Sequence, residues 1–271
     1  MNSVTELSQT IPTNTMVDIN EVTMAFGDFV AVQNVNLCVK DGEFLAIVGP
    51  TGCGKSTILN AIAGLLKAAK GSVHIDNKKV KGVQNEIGYL FQQDALLPWK
   101  TAYENTELGL LFRKVPKNER HDKTMQWLAK VGLKGFEHRY PHQLSGGQRK
   151  RVQMAQVLIT DPKVILMDEP FSALDIHTRH LMQNELLRLW QEKQRAVILI
   201  THDLEEAIAL GDRVVILSAG PRSNIINSFD IDLDRPRNVS EVKLDSRFME
   251  LYRKIWLSLS NEVEKSYERH D

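Results

Sequence analysis

Gly49 to Ser56 read G-P-T-G-C-G-K-S, and Leu144 to Gln148 read L-S-G-G-Q. The first string is a phosphate-binding loop, G-x-x-x-x-G-K-[ST], whose glycines let backbone N–H groups close around phosphate oxygens. At ordinary composition such a loop arises by chance in roughly one chain in a hundred of this length. The second string is far rarer, on the order of one in several thousand, and the two in this order argue against coincidence. Lys55 is spaced to reach the β- and γ-phosphates of a nucleoside triphosphate, and the Ser56 hydroxyl to bind Mg²⁺. Thr57 supplies the next hydroxyl, for the α-phosphate. Asp168 and Glu169 come directly after an apolar strand, at the end where ligands of α/β sheets sit. Asp168 suits Mg²⁺ through a water, and Glu169 is free to orient or deprotonate an attacking water. His202 follows a second apolar strand on the same expected edge, where it can sense a γ-phosphate.

These side chains need a scaffold, and the hydrophobic pattern supplies one. Val32 to Val39 alternates, with Val35, Leu37 and Val39 on one side and Asn34, Asn36 and Cys38 on the other, as a half-buried strand does. Phe44 to Val48 is a continuous apolar run feeding the phosphate loop, and Lys55 to Leu66 carries Ile58, Ile62 and Leu65 at helical spacing. Strand, Gly-rich loop and helix in succession is the context the motif requires. Two later apolar strands, Val164–Met167 and Ala196–Ile200, flank a helix with Met182, Leu186 and Leu189 on one face. Strands alternating with helices predict a mainly parallel sheet covered on both sides. Residues 95–160 hold helical patterns instead, and read as a helical insertion. Phe248, Leu251, Tyr252, Ile255 and Leu259 form a stripe near the C-terminus that predicts a packed helix, capped by Asp245 or Ser246.

Composition narrows the function. The 271 residues include 34 basic and 34 acidic side chains, so the formal net charge is zero and a nucleic-acid partner is not expected. The run Arg149-Lys150-Arg151 reads as a solvated helix face. Two cysteines make no disulfide framework and fit a reducing compartment. Cys38 is expected to pack, and Cys53 to be the small residue that a tight loop tolerates. Met1 to Thr15 lacks the basic stretch and apolar core of a signal peptide, and no run approaches the roughly 18 apolar residues that span a bilayer. Membrane work would fall to another chain.

From about Val17 to Leu217 the chain resembles the nucleotide-binding subunit of an ATP-binding-cassette transporter. The resemblance implies a P-loop NTPase (RecA-like) core with a mainly parallel sheet, an antiparallel β subdomain and an inserted α-helical subdomain. It implies a flexible tail over 1–15, the β subdomain and first part of the core over 16–94, and the helical subdomain over 95–160. The second part of the core would follow over 161–225 and a C-terminal extension over 226–271. Phe26 stands where the family stacks an aromatic on adenine. Gly49, Pro50, Thr51, Gly52, Cys53, Gly54, Lys55, Ser56 and Thr57 match the Walker A loop. Gln92 matches the glutamine that meets Mg²⁺ and the attacking water; Gln93 is adjacent, and the sequence leaves the two open. Ser145, Gly146, Gly147 and Gln148 belong to the signature, Asp168 and Glu169 to Walker B, Ser172, Ala173, Leu174 and Asp175 to the D-loop, and His202 to the switch.

The family mechanism is a head-to-tail pair of copies, each ATP lying between one Walker A loop and the other copy's signature. A helix tip at Ser145 and Gly147 would then offer a second anion site to the γ-phosphate. The resemblance also implies two transmembrane permease subunits, an extracytoplasmic solute-binding protein, and a peripheral position on the cytoplasmic membrane face. Leu96-Leu-Pro-Trp99, Gly135 to Gln143, Thr178-Arg179, Met182 to Leu186 and Asp234 to Arg237 resemble importers of nitrate, sulfonate and taurine. Gln156 stands where relatives usually carry arginine, and about 50 residues after Leu217 are too few for an appended regulatory barrel. An exporter or extraction ATPase, and a cassette working without a membrane, are the alternatives. The short, heptad-free gap between Ser56 and Leu144 disfavours chromosome-type members, and a single set of motifs disfavours translation factors.

Overall fold

A strand apolar at every position must be covered on both faces, and Phe44–Val48 (β3) is buried throughout. The computed structural model describes residues 14–268. Of the tail expected over 1–15, residues 1–13 lie outside the described residues, and Thr15 already opens β1 (Thr15–Phe26), which pairs with β2 (Phe29–Lys40). After β3 come α1 (Lys55–Ile62), β4 (Lys70–Ile75), the short β5 (Lys78–Lys79) and β6 (Ile87–Leu90). The next stretch is helical: α2 (Ala102–Phe112), α3 (Lys117–Lys130), a 3-10 turn at Pro141–Gln143, and α4 (Gly146–Leu158). Then β7 (Val164–Asp168), α5 (Ile176–Glu192), β8 (Ala196–Ile200), α6 (Leu204–Leu210) and β9 (Arg213–Leu217) alternate. The strand β10 (Ile225–Asp230) and the helices α7 (Val239–Val242) and α8 (Ser246–Glu268) complete the described chain, with β10 crossing the boundary expected at residue 225.

Two sheets result. An antiparallel one runs β2-β1-β4-β5; a six-stranded one runs β10-β9-β3-β8-β7-β6, parallel except for β10. Alternate residues of the parallel strands enter different cores. Leu45, Ile47, Leu166, Ile198 and Ile200 face α1 and the antiparallel sheet, whereas Phe44, Ala46, Val48, Ile165, Met167, Val197 and Leu199 face α4, α5, α6 and α8. The expected mixture of parallel core, antiparallel sheet and helical insertion is the one observed.

Three local expectations need correcting. The helix after the phosphate loop stops at Ile62 rather than Leu66, because Gly64 takes φ +73° and a Cβ there would sit 1.9 Å from the Gly82 carbonyl oxygen. Leu65 is consequently 49% exposed. Cys38 does not pack; it lies on the exposed face of β2 and its Sγ donates to Asp18 at 3.2 Å. Partial shielding of the Sγ from water, with that carboxylate, pushes its thiol up to about 11. Finally, Arg149-Lys150-Arg151 is not a solvated face. Arg149 donates to Asp94 and to the Leu144 carbonyl, Lys150 is buried against Gln153, and Arg151 donates to the Val131 carbonyl. α4 is enclosed by α2, α3 and β6, so each cation must find an acceptor there.

The segment Asp234 to Arg237 also has a structural task. Buried Arg237 donates to the carbonyls of Ile208, Ala209 and Gly211 at the end of α6, satisfying acceptors a helix leaves open. Arg235 pairs with Asp212 and lies over the Trp190 ring at 4.3 Å.

Candidate active site

Strand order brings the chemistry together. β8 lies between β3 and β7, so the three parallel strands end side by side, with Ile47 opposite Ile200 and Ile200 opposite Asp168. The phosphate loop, the Asp168-Glu169 pair and His202 therefore share one sheet edge. Gly52 and Gly54 take φ +76° and +94°, a region that favours glycine, and a Cβ on Gly54 would lie 2.4 Å from Val32 Cγ1. Lys55 is 8% exposed and folds back over the loop, its Nζ donating to the carbonyls of Gly49 and Pro50 at 2.8 Å each. Ser56 Oγ donates to Asp168 Oδ1 at 3.0 Å. That hydroxyl-carboxylate pair beside a cationic, glycine-lined loop fits a magnesium triphosphate. The Asp168 carboxyl is held above its ordinary range, chiefly by burial and further by the Glu169 charge, with the Ser56 hydrogen bond opposing.

Glu169 sits at the centre. Its backbone has φ +43°, an uncommon value for a side-chain-bearing residue, and strain of this kind gathers at functional positions. Its N–H donates to the Ile200 carbonyl, and its own carbonyl accepts from the Ser172 N–H and hydroxyl. One carboxylate oxygen, Oε2, accepts from His202 Nδ1 at 3.0 Å and from Gln92 Nε2 at 3.3 Å. Of the two adjacent glutamines, Gln92 turns its side chain to Glu169, and the Gln93 backbone carbonyl lies 3.5 Å from Gln153 Nε2.

The signature stands apart from this cluster. Ser145 caps α4 in a reciprocal capping box with Gln148: each backbone N–H donates to the other's side chain, at 2.9 and 3.2 Å. Among the described residues no hydrogen bond joins Ser145, Gly146, Gly147 or Gln148 to Lys55, Ser56, Asp168, Glu169 or His202. Gly147 has a packing reason of its own, since a Cβ there would come within 2.9 Å of Thr178 Cγ2. In the D-loop, Asp175 caps α5 by accepting from the Thr178 N–H, while Ala173 is exposed. Phe26 is 50% exposed at the turn of the β1–β2 hairpin, directly across from the equally exposed Phe29.

The chain matches the family model described as ABC transporter over residues 32–172. It belongs to the ABC transporter family. It is 46% identical over 236 residues to an uncharacterized ABC transporter ATP-binding protein of Methanocaldococcus jannaschii, covering 87% of this chain and 86% of that protein. The taurine import ATP-binding protein TauB of Escherichia coli K12 is 45% identical over 206 residues, 76% of this chain and 81% of TauB. A dimeric ATP-binding cassette solved in a post-hydrolysis state with ADP and Pi superposes with a TM-score of 0.70 at 36% identity, covering 81% of this chain and all of that one. The cbiO1 subunit of Clostridium perfringens gives 0.73 at 27% identity over 92% and 97%. This ABC subunit has the RecA-like ATPase fold and hydrolyses ATP, and the family works with ATP and Mg²⁺. No helix among its described residues is long and apolar enough to cross a membrane.

Several supporting residues carry no motif. Buried Gln153 of α4 donates toward the carbonyls of Phe91 and Gln93, so the signature helix holds the Gln92 loop directly. Asn105, wholly buried, bonds the backbone of Leu97, Lys100 and Thr101 and so shapes the loop that leaves Trp99 69% exposed. Ser223, also wholly buried, donates to the Cys53 carbonyl inside the phosphate loop. Arg179 joins the D-loop to the switch, donating to the Leu174 carbonyl at 3.0 Å and lying 3.6 Å from Asp203. Of these, only Gln153 had a signal to find: a polar side chain on a helix face whose other buried residues, Lys150 apart, are apolar.

Proposed function

We propose that this ATPase energises import of a small sulfonate-like solute, as one of two copies bound head to tail beneath a pair of membrane permeases. The observation that carries the mechanism is the convergence of Gln92 and His202 on a single oxygen of Glu169. In this arrangement Lys55 and the N–H groups of Gly52 to Thr57 hold the phosphates, Phe26 stacks on the adenine, and Ser56, Asp168 and Gln92 hold Mg²⁺. The ion, when bound, neutralises charge on the β- and γ-phosphates. Glu169 accepts a proton from water as the water oxygen bonds to the γ-phosphorus; the bond from that phosphorus to the ADP oxygen breaks, leaving ADP and phosphate. Both bonds fall on Oε2, which leaves the other carboxylate oxygen, Oε1, to take the proton while His202 and Gln92 hold the carboxylate in place. Ser145, Gly146, Gly147 and Gln148 close the site from the second copy, and Ser172 to Asp175 line the seam between copies.

Likeness to TauB supports the importer and its solute class, and exposed Trp99 supports contact with a permease. Membranes holding the tagged chain are expected to yield it with two permease subunits. Turnover in the reconstituted complex is expected to rise when a solute-binding protein loaded with an aliphatic sulfonate is added. Recovery with ribosomes or DNA and no membrane subunit would overturn the proposal.

A further inference from the structure

The inner face of α8 buries Phe248, Ile255, Leu259 and, at the same helical spacing, Glu262. A helix that had only to dock would place a fourth apolar side chain there, because burying a carboxylate is costly unless it is bonded. Glu262 is 6% exposed, and its carboxylate accepts from the backbone N–H of Ala219 at 2.8 Å and from Lys265 Nζ at 2.5 Å. Ala219 belongs to the segment 217–223, which runs behind the phosphate loop. A Cβ on Gly49 would lie 3.0 Å from the Leu217 carbonyl oxygen, and one on Gly220 would lie 3.2 Å from that of Gly52. At the far end Ser223 donates to the Cys53 carbonyl and exchanges backbone bonds with Ala31 and Gln33 of β2. The segment is a strap. It is fastened at one end by α8 and at the other by β2, with the phosphate loop pressed against its middle.

We propose that Glu262 is a positioning residue for nucleotide binding: through the 217–223 strap, α8 fixes the back wall of the phosphate loop and so sets its affinity for magnesium ATP. The proposal rests on the assignment of Gly49 to Thr57 as the triphosphate site. A loop whose glycines hold left-handed backbone keeps its N–H groups aimed at phosphate only while its reverse side is supported. The strap supplies that support, and the C-terminal helix is its anchor.

The test is titration of the full chain with a fluorescent ATP analogue and Mg²⁺, beside steady-state turnover and thermal melting. Glu262→Met fills the same space without the acceptor; it is expected to weaken nucleotide binding about five- to tenfold, while kcat at saturating ATP stays within about twofold. Its melting temperature is expected to fall somewhat, because the buried Ala219 N–H loses the Glu262 acceptor, so binding is compared well below every variant's melting range and the contrast between affinity and kcat separates support of the loop from support of the fold. Glu262→Gln retains an oxygen acceptor and is expected to bind nucleotide within about twofold of the parent. Ser223→Ala, releasing the other end, is expected to weaken binding severalfold, and the double variant with Glu262→Met to be no weaker than the poorer single one. Normal affinity in Glu262→Met overturns the proposal, as do a Gln variant no better than Met and additive effects in the double variant. Lys55→Ala is the separate control: if it binds nucleotide normally, the triphosphate assignment itself fails, whatever the strap variants do.

Discussion

The two halves of the ATP site differ in what one chain accomplishes. At the sheet edge Lys55, Ser56, Asp168, Glu169, Gln92 and His202 already bond to one another or to the loop they serve. At the signature, among the described residues, the side chains of Ser145 and Gln148 bond only to each other's backbone N–H. The first half is organised by parallel strands within one chain; in the proposed arrangement the second, a capped helix tip, meets phosphate only across a pair of copies. A site divided in the proposed way would tie hydrolysis to the meeting of two surfaces, and ATP would become a reporter of assembly.

The contrast can be broken most forcefully at the sheet edge. Glu169→Gln removes the base but keeps the shape. Phosphate release is expected to fall by ~10³ while magnesium ATP still binds and a dimer appears on gel filtration. Near-normal turnover would move the base to another residue. On the signature side, Gly146→Asp puts a negative charge at the first turn of α4, which the helix itself favours. A Cβ there meets nothing nearer than 3.7 Å. Turnover and ATP-driven pairing are expected to drop by about 10² with monomer binding and melting unchanged, because the repulsion acts only across the interface. An unaltered dimer would show that the tip does not meet phosphate.

Smaller effects sharpen the picture. Gln92→Ala is expected to slow turnover about tenfold and Gln93→Ala to leave it within about twofold, since only the former side chain reaches Glu169. Equal losses would implicate the loop rather than the amide. Smallest is a stability effect at Asp168, whose carboxyl burial holds above its ordinary range. Ionisation there opposes folding at neutral pH. Asp168→Asn is therefore expected to raise the melting temperature of the nucleotide-free chain by about 1–3 °C near pH 7.5. That gain should shrink as pH falls and the parent's group takes up its proton. Stabilisation by magnesium ATP is expected to disappear in the same variant.

What the sequence revealed follows from where the forces are local. Phe44–Val48, Val164–Met167 and Ala196–Ile200 announce buried strands because unbroken apolar runs have few other uses, and the loop between Gly49 and Ser56 announces itself by its glycines. The limit of α1 depended on Gly64 meeting Gly82, a contact from a distant hairpin. The basic run at Arg149 looked solvated because its acceptors, Asp94 and the Val131 carbonyl, come from other segments. Alternation along β2 put Cys38 on the face of Asn34 and Asn36, which is the wet one, so only its expected packing was misjudged. Gln92 and Gln93 are chemically identical, and only the backbone direction after β6 distinguishes them. Ser223 gives no local sign of the phosphate loop it supports. Glu262 does give one, as an acid in register with an apolar stripe.

The insertion of β8 between β3 and β7 has a consequence for biosynthesis. The phosphate loop is translated early, yet its strand cannot be flanked until residues near Ile200 have left the ribosome. Contacts among α2, α3 and α4 are close in sequence and need no such delay, and short-range contacts form fastest. A nascent chain stalled before Ala196 would thus carry a phosphate loop whose strand still lacks both of its neighbours. Nucleotide would first be captured only once the late strands are made, when it can stabilise the newly closed core.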